Sequence, residues 1–129
     1  MKKVFFTSHM FLVLMLCLFS YLFMDVPVQA GGCDVYRTAD SMKGFADTLF
    51  YRDYLYRATM EYERFLYCYP DHPDIPNARF NIATAAELVG DYPSALEYYR
   101  TFLSLYPHHP LAENASSAIV EIEKTLAGR

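Results

Sequence analysis

The sequence predicts an all-α fold, two stacked helical hairpins closed by a capping helix. Three observations predict it. Two nearly identical pentapeptides, YPDHP at Tyr69–Pro73 and YPHHP at Tyr106–Pro110, stand 37 residues apart. Sliding the chain by that interval pairs Ala58 with Ala95, Tyr62 with Tyr99, Phe65 with Phe102, Leu66 with Leu103, Ala78 with Ala115 and Ile82 with Ile119. Within each copy the apolar residues fall at i, i+4, i+7, i+8 and i+11, one stripe of an α-helix. A fixed period of about 20 to 50 residues marks a supersecondary unit stacked on its own copy.

The N-terminus stands apart from that repeat. It reads MKK, then an apolar run from Val4 to Met24, then DVPVQA before Gly31. A positive start, an apolar middle and small residues at the end read as a secretory signal peptide, residues 1–30, cut after Ala30. The alternative is an uncleaved anchor, since the run is nearly long enough to span a bilayer. Cleavage leaves 99 residues with 14 acidic and 9 basic side chains, a net charge of −5. That balance argues against nucleic acid, which needs a basic face to neutralise phosphates.

Residues 31–39 form a linker that carries Cys33. With Cys68 it makes an even pair in an exported chain, so a Cys33–Cys68 disulfide is one expectation. A second use competes for the same sulfur: Ala30-Gly31-Gly32-Cys33 looks like a bacterial lipobox, in which Cys33 would be lipidated. The bridge would close a loop of 34 intervening residues, worth about 3–4 kcal/mol in the chain-entropy model.

The helical domain covers residues 40–127, as units 39–75 and 76–112 and a capping helix 113–127. Helices are expected at about 38–51, 55–69, 76–89, 93–106 and 111–126. The first proline of each pentapeptide ends a helix, because it lacks an N–H and its ring clashes with the preceding turn. The second proline restricts the connector before the next helix. Gly90 suits a helix C-cap, Asp91 or Tyr92 opens the following helix, and Pro93 suits its first turn. In the last segment Ile119, Ile122 and Leu126 face the preceding hairpin, so this helix caps the stack.

With these elements in place, Gly90-Asp91-Tyr92, Ala95, Tyr99 and Pro107 resemble the second half of a tetratricopeptide repeat. Ala83 falls where that repeat has a small residue on its first helix; Ala46, Ala58, Tyr62 and Pro70 follow in the first unit. The resemblance spans residues 40–127 and implies a short right-handed α-solenoid. Phe65-Leu66 and Phe102-Leu103 before Tyr-Pro, with a connector longer than usual, are similar to tetratricopeptide proteins of the bacterial envelope. These include BamD-like lipoproteins of outer-membrane β-barrel assembly and the periplasmic partner of the Tol–Pal system. The resemblance implies a ligand groove along the first helix of each unit. The matching positions are Asp40, Lys43, Asp47, Phe50 and Tyr51, then Asn77, Phe80, Thr84, Glu87 and Leu88. Phe50, Tyr51, Phe80 and Leu88 would there be apolar groups with no core to enter, as interface anchors are.

Residues for chemistry are lacking. No catalytic group is expected. His72 and His109 occupy equivalent places in separate connectors beside His108, so convergence on one metal ion is not expected. There is no glycine-rich phosphate loop and no HExxH. Glu61/Glu63 and Glu121/Glu123 are spaced i, i+2, point to different helix faces, and read as solvated charges. No cofactor is expected. The reading is a non-catalytic adaptor exported to the periplasm or cell envelope, with association to the outer membrane as a further option. Its partner would be another envelope protein or a peptide segment, with self-association as a further option. The competing reading is a membrane-tethered BamD-like lipoprotein; contact with the membrane requires lipidation or a retained signal anchor.

Overall fold

A computed structural model describes Cys33 and residues 38–128. The expected signal peptide, the lipobox residues before Cys33 and most of the linker lie outside the described residues. Five helices run in order: α1 (Ala39–Tyr51), α2 (Leu55–Cys68), α3 (Ile75–Leu88), α4 (Tyr92–Leu105) and α5 (Ala112–Ala127). Every end lies within one residue of the expected position. There is no strand among the described residues. Each helix packs chiefly on its neighbours in sequence, and α1 also touches α3. The architecture is therefore two hairpins, α1–α2 and α3–α4, with α5 laid against α4.

The two hairpin turns share one hydrogen-bond pattern. At the end of α1 the Asp53 and Tyr54 N–H groups donate to Phe50 O (3.0 Å) and Leu49 O (2.9 Å). At the end of α3 Gly90 and Asp91 donate to Glu87 O (2.9 Å) and Ala86 O (2.9 Å). This is the Schellman closure, which satisfies the last carbonyls of a helix and needs a left-handed residue at its pivot. Gly90 sits there with φ of 80° and Asp53 with φ of 65°. The first turn, which shows no glycine in the sequence, is built on aspartate, one of the few residues besides glycine that tolerate this region.

The repeated pentapeptides end helices in the same way twice. Tyr69 and Tyr106 are the C-caps, with φ/ψ of −134°/60° and −134°/57°. The next histidine N–H donates back to the tyrosine carbonyl, His72 to Tyr69 at 3.0 Å and His109 to Tyr106 at 3.1 Å. Each histidine Nδ1 then accepts the backbone N–H two residues on, Asp74 or Leu111, both at 3.2 Å. Each ring also stands edge-on to a core phenylalanine, Phe65 at 5.1 Å and Phe102 at 5.6 Å. The motif is thus a connector held by its histidine. Because Nδ1 accepts, the proton of the neutral ring is on Nε2, and for His72 that atom lies 3.5 Å from Asp40 Oδ1.

The core repeats as well. Ala58, Tyr62 and Phe65 of α2 are fully buried against Met42, Ala46 and Leu49 of α1 and Ala78 and Ile82 of α3. Ala95, Tyr99 and Phe102 of α4 are buried with Ala83, Ala115 and Ile122. Alanines at 46, 58, 83 and 95 let the paired backbones approach, so aromatic rings fill the space beside them. On α5, Ala115 and Ile122 are buried and Ile119 packs against them as expected, while Leu126 is 39% exposed. Cys33 is joined to Cys68 in a disulfide with Cα atoms 5.4 Å apart. It ties the segment before α1 to the end of α2.

Asp53→Gly is expected to stabilise the domain by about 0.5–1 kcal/mol, relief of left-handed strain being partly offset by greater unfolded-state freedom. Gly90→Ala has open space for its Cβ, yet it should destabilise by about 1–2 kcal/mol through backbone strain alone. Urea denaturation of the two variants checks both signs.

Candidate functional site

Two surfaces bear on function. The first is the face formed by α1 and α3, where the ten expected groove residues lie. Its organising feature is a pair of buried tyrosines on α2 and α4. The Tyr62 hydroxyl donates to Asp47 Oδ1 of α1 at 2.7 Å and accepts from Asn81 Nδ2 of α3 at 2.9 Å. Lys43 Nζ donates to Asp47 Oδ2 at 2.8 Å and faces Asp74 Oδ2 at 3.6 Å. Asn77 Nδ2 donates to Asp74 Oδ1 at 3.1 Å. One polar chain therefore runs from α1 through α2 to α3.

In the second unit the Tyr99 hydroxyl donates to Glu87 Oε2 at 2.7 Å and lies 3.1 Å from Thr84 Oγ1. The same tyrosine position thus uses different partners in the two copies. Burial comes first among the causes that push both phenols well above the ordinary tyrosine range, and the acceptor carboxylates add to it. Burial of Lys43 acts to lower its pKa, but the bond to Asp47 and the charges of Asp47 and Asp74 outweigh that and raise it.

Most expected groove residues are thereby engaged in the fold. Asp47, Thr84 and Glu87 serve the tyrosine hydroxyls, and Lys43 and Asn77 hold the surrounding carboxylates. Phe80, expected to lack a core, packs edge-on against Tyr99 and Phe102, both at 5.6 Å. Phe50 contacts Tyr62 and Tyr51 in the same manner. Asp40 is exposed at the start of α1. Of the expected apolar anchors only Tyr51, 83% exposed, and Leu88, 61% exposed, stand largely outside the core. They are equivalent positions, the last residue of α1 and of α3.

The second surface was not anticipated from the sequence. α2 and α4 diverge and leave a cleft of about 530 Å³ floored by Ile82, Ala85 and Ala86 of α3. Its walls include Tyr56 and Met60 of α2 and Tyr98 of α4, with Glu63 and Asp91 on the rim. Tyr56 is 78% exposed and Met60 54%. A smaller hollow of about 140 Å³ continues the cleft, sharing Glu63, Ile82 and Tyr98 and adding Leu66, Arg79, Thr101 and Phe102. At the opposite end the cleft opens toward Tyr54, Leu88 and Val89. The signal was present in the sequence: Tyr56 and Met60 are spaced i, i+4 off the core stripe of α2, an apolar pair with no partner in the repeat.

Glu61 also departs from expectation. It is half-buried, and its Oε2 is out of solvent without a hydrogen bond. Glu123 pairs with Arg100 at 2.7 Å across α4 and α5, while Glu63 and Glu121 are exposed as expected. No group of three or more His, Cys, Asp or Glu residues among those described is placed to hold a metal ion. No protein-family model matches the chain, and no curated protein matches it.

The buried phenols make stability fall on the alkaline side. Their pKa is raised in the fold, so stability is full below the ordinary tyrosine value of 10.0 and falls as pH rises past it, where only the unfolded chain ionises. Denaturation midpoints are expected to drop above pH ~10, with a shallower drop in the double variant Tyr62→Phe/Tyr99→Phe. Equal slopes in parent and variant would contradict the assignment.

Proposed function

We propose that this chain is a non-catalytic protein–protein adaptor of the bacterial cell envelope that docks a partner protein or peptide on its helical stack. The observation that carries the reading is a set of large side chains outside both cores of a very small stack. Tyr51 and Leu88 are the last residues of α1 and α3, while Tyr54, Tyr56 and Met60 are exposed at the start of α2 and on it, and Val89 just after α3. Exposed apolar residues in clusters, unlike scattered ones, mark interaction surfaces. The resemblance to tetratricopeptide repeats supports the same reading, since it implies a groove that binds a protein or peptide ligand.

Export is supported by two features that agree. The N-terminal run has signal-peptide grammar, and a Cys33–Cys68 bridge persists only where disulfides are not reduced. That bridge also engages the sulfur which the lipoprotein alternative needs. A tether, in this reading, would come from the N-terminal apolar run and not from lipid on Cys33. Intact mass of the exported protein separates the two, reporting cleavage, lipid and thiol state together.

The binding reading is tested by placing a photocrosslinking phenylalanine analogue at position 51 or 88 and irradiating cells. Discrete adducts of defined mass are expected from both positions. Tyr51→Ser/Leu88→Ser, probed by the analogue at Thr48 nearby, should reduce the adduct about tenfold or more while helix content by circular dichroism is unchanged. Absence of any adduct from either position would remove the first-helix face as a docking surface.

A further inference from the structure

We propose that the cleft between α2 and α4 is a second peptide-docking site, and that Arg79 is its recognition group for a carboxylate carried on an apolar segment. It rests on the adaptor reading only in taking a protein partner, and it places that partner between α2 and α4 instead of along the expected groove. Three features lead there.

The first is shape. The cleft is lined by aliphatic Ile82, Ala85 and Ala86 of α3 and by exposed Tyr56, Met60 and Tyr98. Its size, about 530 Å³, lies within the range of about 300–1,000 Å³ usual for small-molecule pockets, room for a few side chains of a peptide. Tyrosine and methionine walls give large contact area at small entropic cost and adapt to the group they cover.

The second is an unmet charge. Arg79 lines the deep end beside Leu66, Tyr98 and Phe102. It has no hydrogen bond or ion pair among the described residues, and its Nε is buried without an acceptor. A guanidinium cannot shed its proton to escape a half-buried position. It gains most from a planar anion that accepts two N–H bonds, and a carboxylate has that geometry. Two other cations of the domain have carboxylate partners, Lys43 with Asp47 and Asp74 and Arg100 with Glu123. Arg79 has none and lines an apolar hollow.

The third is the charge of the rim. Asp91 lies toward the far end of the cleft and Glu63 at its middle. These acids disfavour a run of negative charge, so the site selects one carboxylate at the Arg79 end with apolar residues filling the remainder. An acidic tail is the wrong ligand, and a segment such as one Asp or Glu followed by Leu, Ile or Phe is the right one.

The test uses displayed random octapeptides selected on the disulfide-intact domain and on its Arg79→Gln variant. Peptides from the parent are expected to carry a single acid flanked by large apolar residues. A selected peptide should bind the Arg79→Gln variant at least tenfold more weakly, and should shift the Arg79 Nε–H resonance of the parent. Tyr51→Ser should leave the affinity unchanged, which separates this site from the first-helix face. Recovery of no acid-containing consensus, or equal affinity for Arg79→Gln, would overturn the proposal and leave the crosslinking result at Tyr51 and Leu88 standing. Glu63 is the one carboxylate in the same hollow. If Glu63→Gln and Arg79→Gln are coupled in stability, Arg79 is served from within the fold and the proposal also fails.

Discussion

A tyrosine buried between helices must still satisfy its hydroxyl, and the arrangement of this domain depends on that requirement. Tyr62 and Tyr99 fill the space beside the close-packed alanines of each hairpin, and their rings supply much of the buried apolar area. Their oxygens emerge at the face of the first helices. An unsatisfied hydroxyl there would cost roughly 1–3 kcal/mol, more than a marginal two-hairpin stack can easily lose. The first helices therefore present carboxylates and amides at that point: Asp47 and Asn81 for one copy, Glu87 and Thr84 for the other. Positions that the repeat pattern assigns to ligand binding are spent on internal bonds. The surfaces left uncommitted are the edge at Tyr51 and Leu88 and the cleft between α2 and α4.

The same economy shapes the links between helices. Both YPxHP connectors use proline to stop a helix, the histidine Nδ1 to accept a backbone N–H, and the imidazole edge to cover a core phenylalanine. Three needs are met within five residues. The Cys33–Cys68 bridge acts at the same end of the first hairpin. It constrains the unfolded chain where only two hairpins share the burden of a core.

How much of this was legible in the sequence varies with the physical range of each feature. Helix ends were legible because Pro70, Pro107 and Gly90 act locally, and the stripe of Ala58, Tyr62 and Phe65 declares its own period. The Asp53 turn was hidden, since aspartate is a rare choice at a left-handed pivot. Only its register with Gly90 hints at it. The hydroxyl network was hidden because its partners are not repeated between copies and lie 12 to 19 residues away along the chain. Phe80 looked like a free anchor because helical periodicity does not show that the ring reaches Tyr99 and Phe102. The cleft arises from the divergence of α2 and α4, which no single-helix pattern encodes.

The central claim is that Asp47 belongs to the fold through Tyr62 and is not held in reserve for a ligand. A double-mutant cycle of Tyr62→Phe and Asp47→Asn, read by urea denaturation at neutral pH, tests it most directly. The account predicts a coupling of about 1.5–3 kcal/mol, the range for a hydrogen bond to a charged acceptor. Additive effects would contradict it and return Asp47 to the groove.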